Sequence, residues 1–465
     1  MKKKIIYLSI ILVVVISLIT LSSIYKSKDN KYKKKYNTIS KGMAIMIKEE
    51  GATDYTKSTS NDIPKGNYVL NEEKTHCENN GKVTNYDSAT GKISLNFIGS
   101  DRCYLYFDYK KETIKLGNAE LVVNSETPDF SKVATTNEGL YKADDDYTAT
   151  TGMKSYYFRG AVDNNWLKYG KYTKDMYNCN NGTISATDTG NSCTKIASSG
   201  DDIYWRIIRI NGDGSIRMIY SGVTPPTEST KVIKTTDTSL GNSTFNKDFD
   251  TFNKDFNSAE YVGYMFTIGQ QHGTGTDSTI KTFLDNWYAN YTNLNSTGTK
   301  ITDQIYCNDR RASTSQSGTA GEISSWASTG ATYYYGAYGR LINKKEPQLI
   351  CPTASDKFTV GTSNGNGALT YPVGIITADE VAMAGGVYGS SNSSYYLYTN
   401  QYYWLGSPYT FRSGRAAAAG FVVRSYGAVG ADDVGDNDGA RPVVSLSSKA
   451  KLSGSGTYSN PYTVS

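Results

Sequence analysis

Tyr204-Trp205-Arg206-Ile207-Ile208-Arg209-Ile210 and Ser215-Ile216-Arg217-Met218-Ile219-Tyr220 flank Asn211-Gly212-Asp213-Gly214. Two runs of β-branched and aromatic residues around Asn-Gly and Asp-Gly steps, which supply positive-φ residues, predict a β-hairpin. Asp213 sits in that turn and is read as a turn residue rather than a calcium ligand. Helix signals are fewer. Asp277-Ser278 precede Ile280, Phe283, Leu284, Trp287 and Tyr291 at helical spacing, with the serine or the aspartate as cap. Thr377-Ala378-Asp379-Glu380 forms a capping box leading into Val381-Ala382-Met383-Ala384, and Gly385-Gly386 stop it. A few helices packed on many short, turn-rich strands predict an α+β region over residues 119–465.

Upstream, residues 61–118 alternate apolar and polar positions, as in Ile93, Leu95, Phe97 and Tyr104 to Phe107, and predict a small all-β domain. Residues 26–60 are lysine-rich and predict a polar stalk. The uncharged stretch Ile5 to Tyr25 behind Lys2-Lys3-Lys4 is long enough to span a bilayer. Residues 1–25 are therefore expected to be a cytoplasmic tip and a single-pass transmembrane helix, with the rest outside the cell. Six cysteines fall in sequence-local pairs, Cys77 with Cys103, Cys179 with Cys193, and Cys307 with Cys351. Six cysteines allow 15 pairings, and this one fits three disulfides in an oxidising compartment. Phe245 to Asp250 reappears as Phe252 to Asn257, read as a tolerated loop insertion.

The net charge of +5 is two numbers. Residues 1–36 hold nine lysines and one aspartate, +8, which leaves −3 for the remainder. That excludes a basic nucleic-acid binder. Two histidines, His76 and His272, leave little material for histidine-based metal or triad chemistry. No nucleophile elbow or phosphate loop is present, so no catalytic residue and no cofactor is assigned. Asp432 to Gly439 carries clustered carboxylates but no terminal bidentate glutamate, and is read as a solvated acidic loop rather than a metal site.

The 39 tyrosines outnumber 13 phenylalanines, and part of that surplus gathers at Tyr395, Tyr396, Tyr398, Tyr402 and Tyr403. Arg412 to Ala440 is then built from nine residue types only, each of which has a codon ending in C. Small residues interleaved with Tyr, Arg and Asp predict a displayed binding loop over 403–441, because tyrosine offers contact area at low entropic cost. The contact candidates are Tyr402, Tyr403, Tyr409, Phe411, Arg412, Arg415, Arg424 and Tyr426. Trp404 is assigned to the core and Arg441 to a pairing inside the fold.

Tyr403-Trp404-Leu405-Gly406-Ser407-Pro408 and Gly439-Ala440-Arg441-Pro442-Val443-Val444 resemble the C-terminal signature of a broad bacterial surface family of anaerobic Firmicutes. Gly406 stands where that family usually has arginine, and Ala440 where it has valine. Tyr204 to Tyr220, Tyr333 to Leu341 and Leu369 to Glu380 are similar to upstream blocks of the same family. The resemblance covers roughly 120–465 and implies a C-type-lectin-like fold, shared with formylglycine-generating enzymes and with the variable proteins of diversity-generating retroelements. Its implied function is adhesin-like binding of an extracellular protein or glycan through a diversified surface. The alternatives are an enzyme on the same fold and a structural surface protein. The last cysteine, Cys351, precedes the signature, which removes the thiols that formylglycine generation needs. Tyr402, Tyr426 and Arg424 on one exposed face, above a buried Trp404, would favour binding.

Overall fold

The hairpin forms the spine of the C-terminal part of the chain. In the computed structural model, which describes residues 42–465 except 89, 97–100, 125, 180–183, 188–192, 241–250 and 328, Asp202–Ile210 and Ile216–Tyr220 pair antiparallel, with Trp205 opposite Tyr220. Both faces of the hairpin are covered, so its side chains are buried almost without interruption from Ile203 to Arg209. The chain falls into two compact units, one running to Glu112 with Asn124–Glu126 and one made of Thr113–Val123 with Thr127–Ser465.

In the larger unit the hairpin lies within a ten-stranded sheet. Asp202–Ile210 is flanked by Trp166–Lys171 and Ser155–Gly160, and Ile216–Tyr220 pairs on its other side with Val443–Leu446. A second sheet, all antiparallel, runs Ala312–Ser313, Thr332–Tyr335, Tyr403–Arg412, Ala417–Val423 and Val429–Asp433. Helix Thr279–Asn290 is capped by Ser278, whose hydroxyl accepts from the Lys281 amide. It buries Ile280, Phe283, Leu284 and Trp287. The Trp287 ring meets Trp205 and Tyr220 edge-on, at centroid distances of 6.3 and 5.9 Å, which seats the helix on the hairpin.

Strands take 37% of the chain and helices 10%, so the α+β, C-type-lectin-like expectation is overturned: the protein is mostly β. Both expected helices form where their signals stand, but Ala378–Met383 has only six residues before its glycine stop. The aromatic and β-branched sequence around them goes into sheet. The segment 403–441, expected as a displayed loop, is chiefly a three-stranded meander. Ala417, Ala418, Ala419 and Gly420 are buried in it. A Cβ at Gly420 would stand 3.4 Å from the Trp404 ring, so small residues are what the packing admits there.

In the smaller unit Met43–Lys48 runs parallel to Cys103–Tyr109, placing residues from the expected stalk inside a five-stranded sheet. Ile45, Leu105 and Phe107 form its core, covered by the hairpin Lys82–Asp87 and Lys92–Asn96. All three disulfides form as read, Cys77–Cys103, Cys179–Cys193 and Cys307–Cys351. The transmembrane helix expected in residues 1–25 lies outside the described residues, as does the first copy of the duplicated segment. Among the described residues no helix is long and apolar enough to cross a membrane. Phe252, from the second copy, is buried edge-on against Trp404 at 5.8 Å and belongs to the core.

Candidate functional site

Two clusters in the larger unit concentrate charge. The first lies where the hairpin meets helix Ala378–Met383. Glu380 Oε1 takes Arg209 Nε at 3.0 Å and Arg217 Nε at 2.6 Å, while its Oε2 accepts from the Thr377 amide at 2.9 Å. Arg340 donates to both oxygens of Asp379 and reaches Asp309 at 2.6 Å. Burial alone would raise the Glu380 carboxyl, but Arg217 and Arg209 outweigh it and hold it below the ordinary glutamate range. Asp309, likewise buried, is held low by Arg311 and Arg340. Glu380 and Asp309 are thereby held as carboxylates, and the free space in the cluster is about 30 Å³, room for about two waters. The cluster welds the hairpin to the helix.

The second cluster is built by the meander. Tyr403 is paired with Val423, so Tyr402 and Arg424 face each other one step beyond the strand ends. Arg424 and Ala428 then close the turn to Val429–Asp433, with the Arg424 amide donating to the Ala428 carbonyl at 2.9 Å. Gly427 in this turn has φ +80°, and a Cβ there would collide with the Asn392 carbonyl oxygen at 1.8 Å. That turn holds Tyr426 outward, 43% exposed. Arg424 folds back over Gly430, which leaves it room, and reaches the Ala431 carbonyl at 3.0 Å and Asp432 at 3.3 Å. Burial would depress Arg424, and Asp432, Tyr426 and Tyr402 outweigh it. The Gly439 amide donates to the Tyr402 carbonyl at 3.0 Å, which brings Asp438 beside Tyr402.

Asp438 is 4% exposed, and its Oδ2 has no hydrogen-bond partner among the described residues. Burial pushes its carboxyl up to about 8, with Asp432 and Asp436 adding to the rise. Burial pushes Asp432 to about 6, against the opposing pull of Arg424. Burial thus moves both carboxyls toward neutral pH, as happens at functional sites and in buried structural networks alike. Among the described residues no three His, Cys, Asp or Glu side chains stand close enough to share a metal ion.

A folded acid with a raised pKa holds its proton where the unfolded chain has released it. Its contribution to stability therefore falls as pH rises from the ordinary aspartate range through about 8. Asp438→Asn keeps the shape and removes that titration. Between pH 5 and pH 8 the native chain is expected to lose on the order of 2 kcal/mol more than the asparagine variant. Urea unfolding at the two pH values measures this, and parallel curves would refute it.

The structure gathers Tyr402, Arg424 and Tyr426, and Trp404 is fully buried. It separates the other contact candidates. Tyr403 is buried, donates to the Leu397 carbonyl at 3.0 Å and lies under the Arg441 guanidinium at 4.9 Å. Phe411 is buried against Tyr333 and Trp326. Tyr409 is half-buried, its hydroxyl 2.8 Å from that of Tyr388. Arg412 is half-buried at a strand end, and Arg415 is exposed in the turn that follows. Arg441 is buried as expected, but its partners are the Tyr220 and Leu397 carbonyls rather than a carboxylate. Sequence reasoning missed Asp432 and Asp438 as members of the site, since an aspartate run reads as a solvated loop. Their one signal was a carboxylate-dense stretch in a segment devoid of lysine from Phe358 to Ser448. No family model, curated protein or solved structure matches the chain.

Proposed function

We propose that the chain is a membrane-anchored extracellular binding protein whose meander end, formed by Tyr402, Arg424, Tyr426, Asp432 and Asp438, holds a protein or glycan ligand. The observation that carries this reading is the convergence of Tyr402, Arg424 and Tyr426 on one partly exposed patch. The tyrosine rings offer flat apolar area, and the aspartates accept hydrogen bonds from hydroxyls or amines. With Asp432 paired to the one guanidinium and Asp438 protonated at neutral pH, the patch carries little net charge and favours neutral ligands over phosphorylated or sialylated ones. The oxidising, extracellular setting rests on three disulfides and no free cysteine among the described residues.

The test is binding of the full chain to protein and glycan arrays. Tyr402→Ala with Tyr426→Ala is expected to weaken any ligand found by about tenfold or more, as loss of central aromatic anchors does. Arg415→Ala, in a different turn, is expected to leave binding unchanged. Equal binding by the tyrosine variant and the native chain would overturn the reading.

A further inference from the structure

In the smaller unit two strand edges lie open on either side of a groove. The Lys110 amide donates to the Asn67 carbonyl and the Asn71 amide to the Tyr106 carbonyl. This register commits residues 67, 69 and 71 to strand Cys103–Tyr109, so the backbone N–H and C=O groups of Tyr68 and Leu70 point to the opposite side. Among the described residues no strand pairs with that side. Among the described residues Lys82–Asp87 is also paired along one edge only, to Lys92–Asn96. The two open edges are drawn together at one end, where the Gly66 amide donates to the Ser88 carbonyl at 2.8 Å. Beyond that point they part around a cavity of about 790 Å³ lined by Tyr68, Leu70, Val83 and Tyr86 among others. Leu70, Val83 and Tyr86 are half-buried and pack on the core of Ile45, Leu105 and Phe107, giving the groove an apolar floor.

We propose that this groove is a strand acceptor for an extended peptide segment of a partner protein, one that carries apolar side chains at alternate positions. Unpaired main-chain groups along a sheet edge are a template for an added strand. Here the second edge faces it, so one inserted strand can bond on both sides while its inward side chains cover Leu70 and Val83. The volume lies within the range of ligand sites, about 300–1,000 Å³. The lining charges, Glu72 against Lys82, nearly cancel, which leaves backbone pairing and apolar alternation as the selective features. The inference concerns a different unit and does not rest on the C-terminal patch.

The experiment is hydrogen–deuterium exchange on the full chain, with a pool of heptapeptides bearing valine, isoleucine or phenylalanine at alternate positions. A second pool has the same side chains but N-methylated backbone amides. The first pool is expected to slow exchange about tenfold in segments 66–71 and 81–88, and the methylated pool to leave it unchanged. Val83→Lys is expected to abolish the protection. If that variant fails to fold, the comparison of the two pools still decides. Equal protection by both pools, protection by neither, or protection that appears without peptide as protein concentration rises would each overturn the proposal. The last result would assign the groove to a second copy of the chain.

Discussion

Glu380→Ala is expected to destabilise the larger unit by about 3–5 kcal/mol, the cost of leaving buried charge without its partner. Glu380 is 3% exposed, and the Arg209 and Arg217 side chains that meet it are themselves buried. Removing the carboxylate takes from Arg217 its carboxylate partner, leaves Arg209 with Asp145 at 3.5 Å, and also undoes the capping box of Ala378–Met383. Glu380→Gln retains the hydrogen bonds to Thr377 but not the charge, so it should fall between the native chain and the alanine variant. The pH dependence has a defined sign. The folded Glu380 carboxyl lies below its unfolded value, so its contribution is present above the ordinary glutamate range and lost as pH falls through and below it. A variant that lacks Arg217 should therefore lose less stability through this group on acidification, from a lower starting stability at neutral pH. Equilibrium urea titration of the three proteins checks the ranking. A loss under 1 kcal/mol for the alanine variant would mean that the two arginines find other partners.

Trp404→Ala carries a comparable expectation, about 3–5 kcal/mol, from lost transfer energy and the cavity left behind. Trp404 is fully buried, touches Phe252 edge-on and lies against the backbone of Gly420. Neither neighbour can collapse into the space, since one is a loop residue held by its own contacts and the other has no side chain. The loss should also reach the patch. Tyr402 precedes Trp404 by two residues, and the Trp404 amide bonds the Gly439 carbonyl at 3.0 Å, next to Asp438. Ligand binding should weaken along with stability, whereas Trp404→Phe should recover most of both. Full stability in the alanine variant would contradict the assignment of this residue to the core.

What could be read in the chain was what is encoded locally. The turn chemistry of Asn211 to Gly214 marks a hairpin whatever surrounds it, and Ser278 and Thr377 cap helices through contacts three residues away. The partners of Glu380 lie 171 residues off in Arg209, and no local pattern announces them. The meander was misread because alanine and glycine have low strand propensity. They form strand here because they pair on both sides, with Tyr403–Arg412 and with Val429–Asp433. The α+β expectation failed for a related reason: two well-marked helices were weighted over a long background of short strands with weak individual signals. Of eight contact candidates, Tyr402, Arg424 and Tyr426 come together, while a strand covered on both faces buries Tyr403 and Phe411. Asp438 looked solvated in the sequence, and the bridge between Tyr403 and Gly439 beside it is what draws it into the fold.

The measurement that bears most directly on the binding reading is the affinity of the full chain for its array-selected ligand before and after Tyr402→Ala with Tyr426→Ala, with folding confirmed by unchanged urea stability. The reading requires a loss of about tenfold or more, with Arg415→Ala at native affinity. Native affinity in the doubly substituted chain would contradict it.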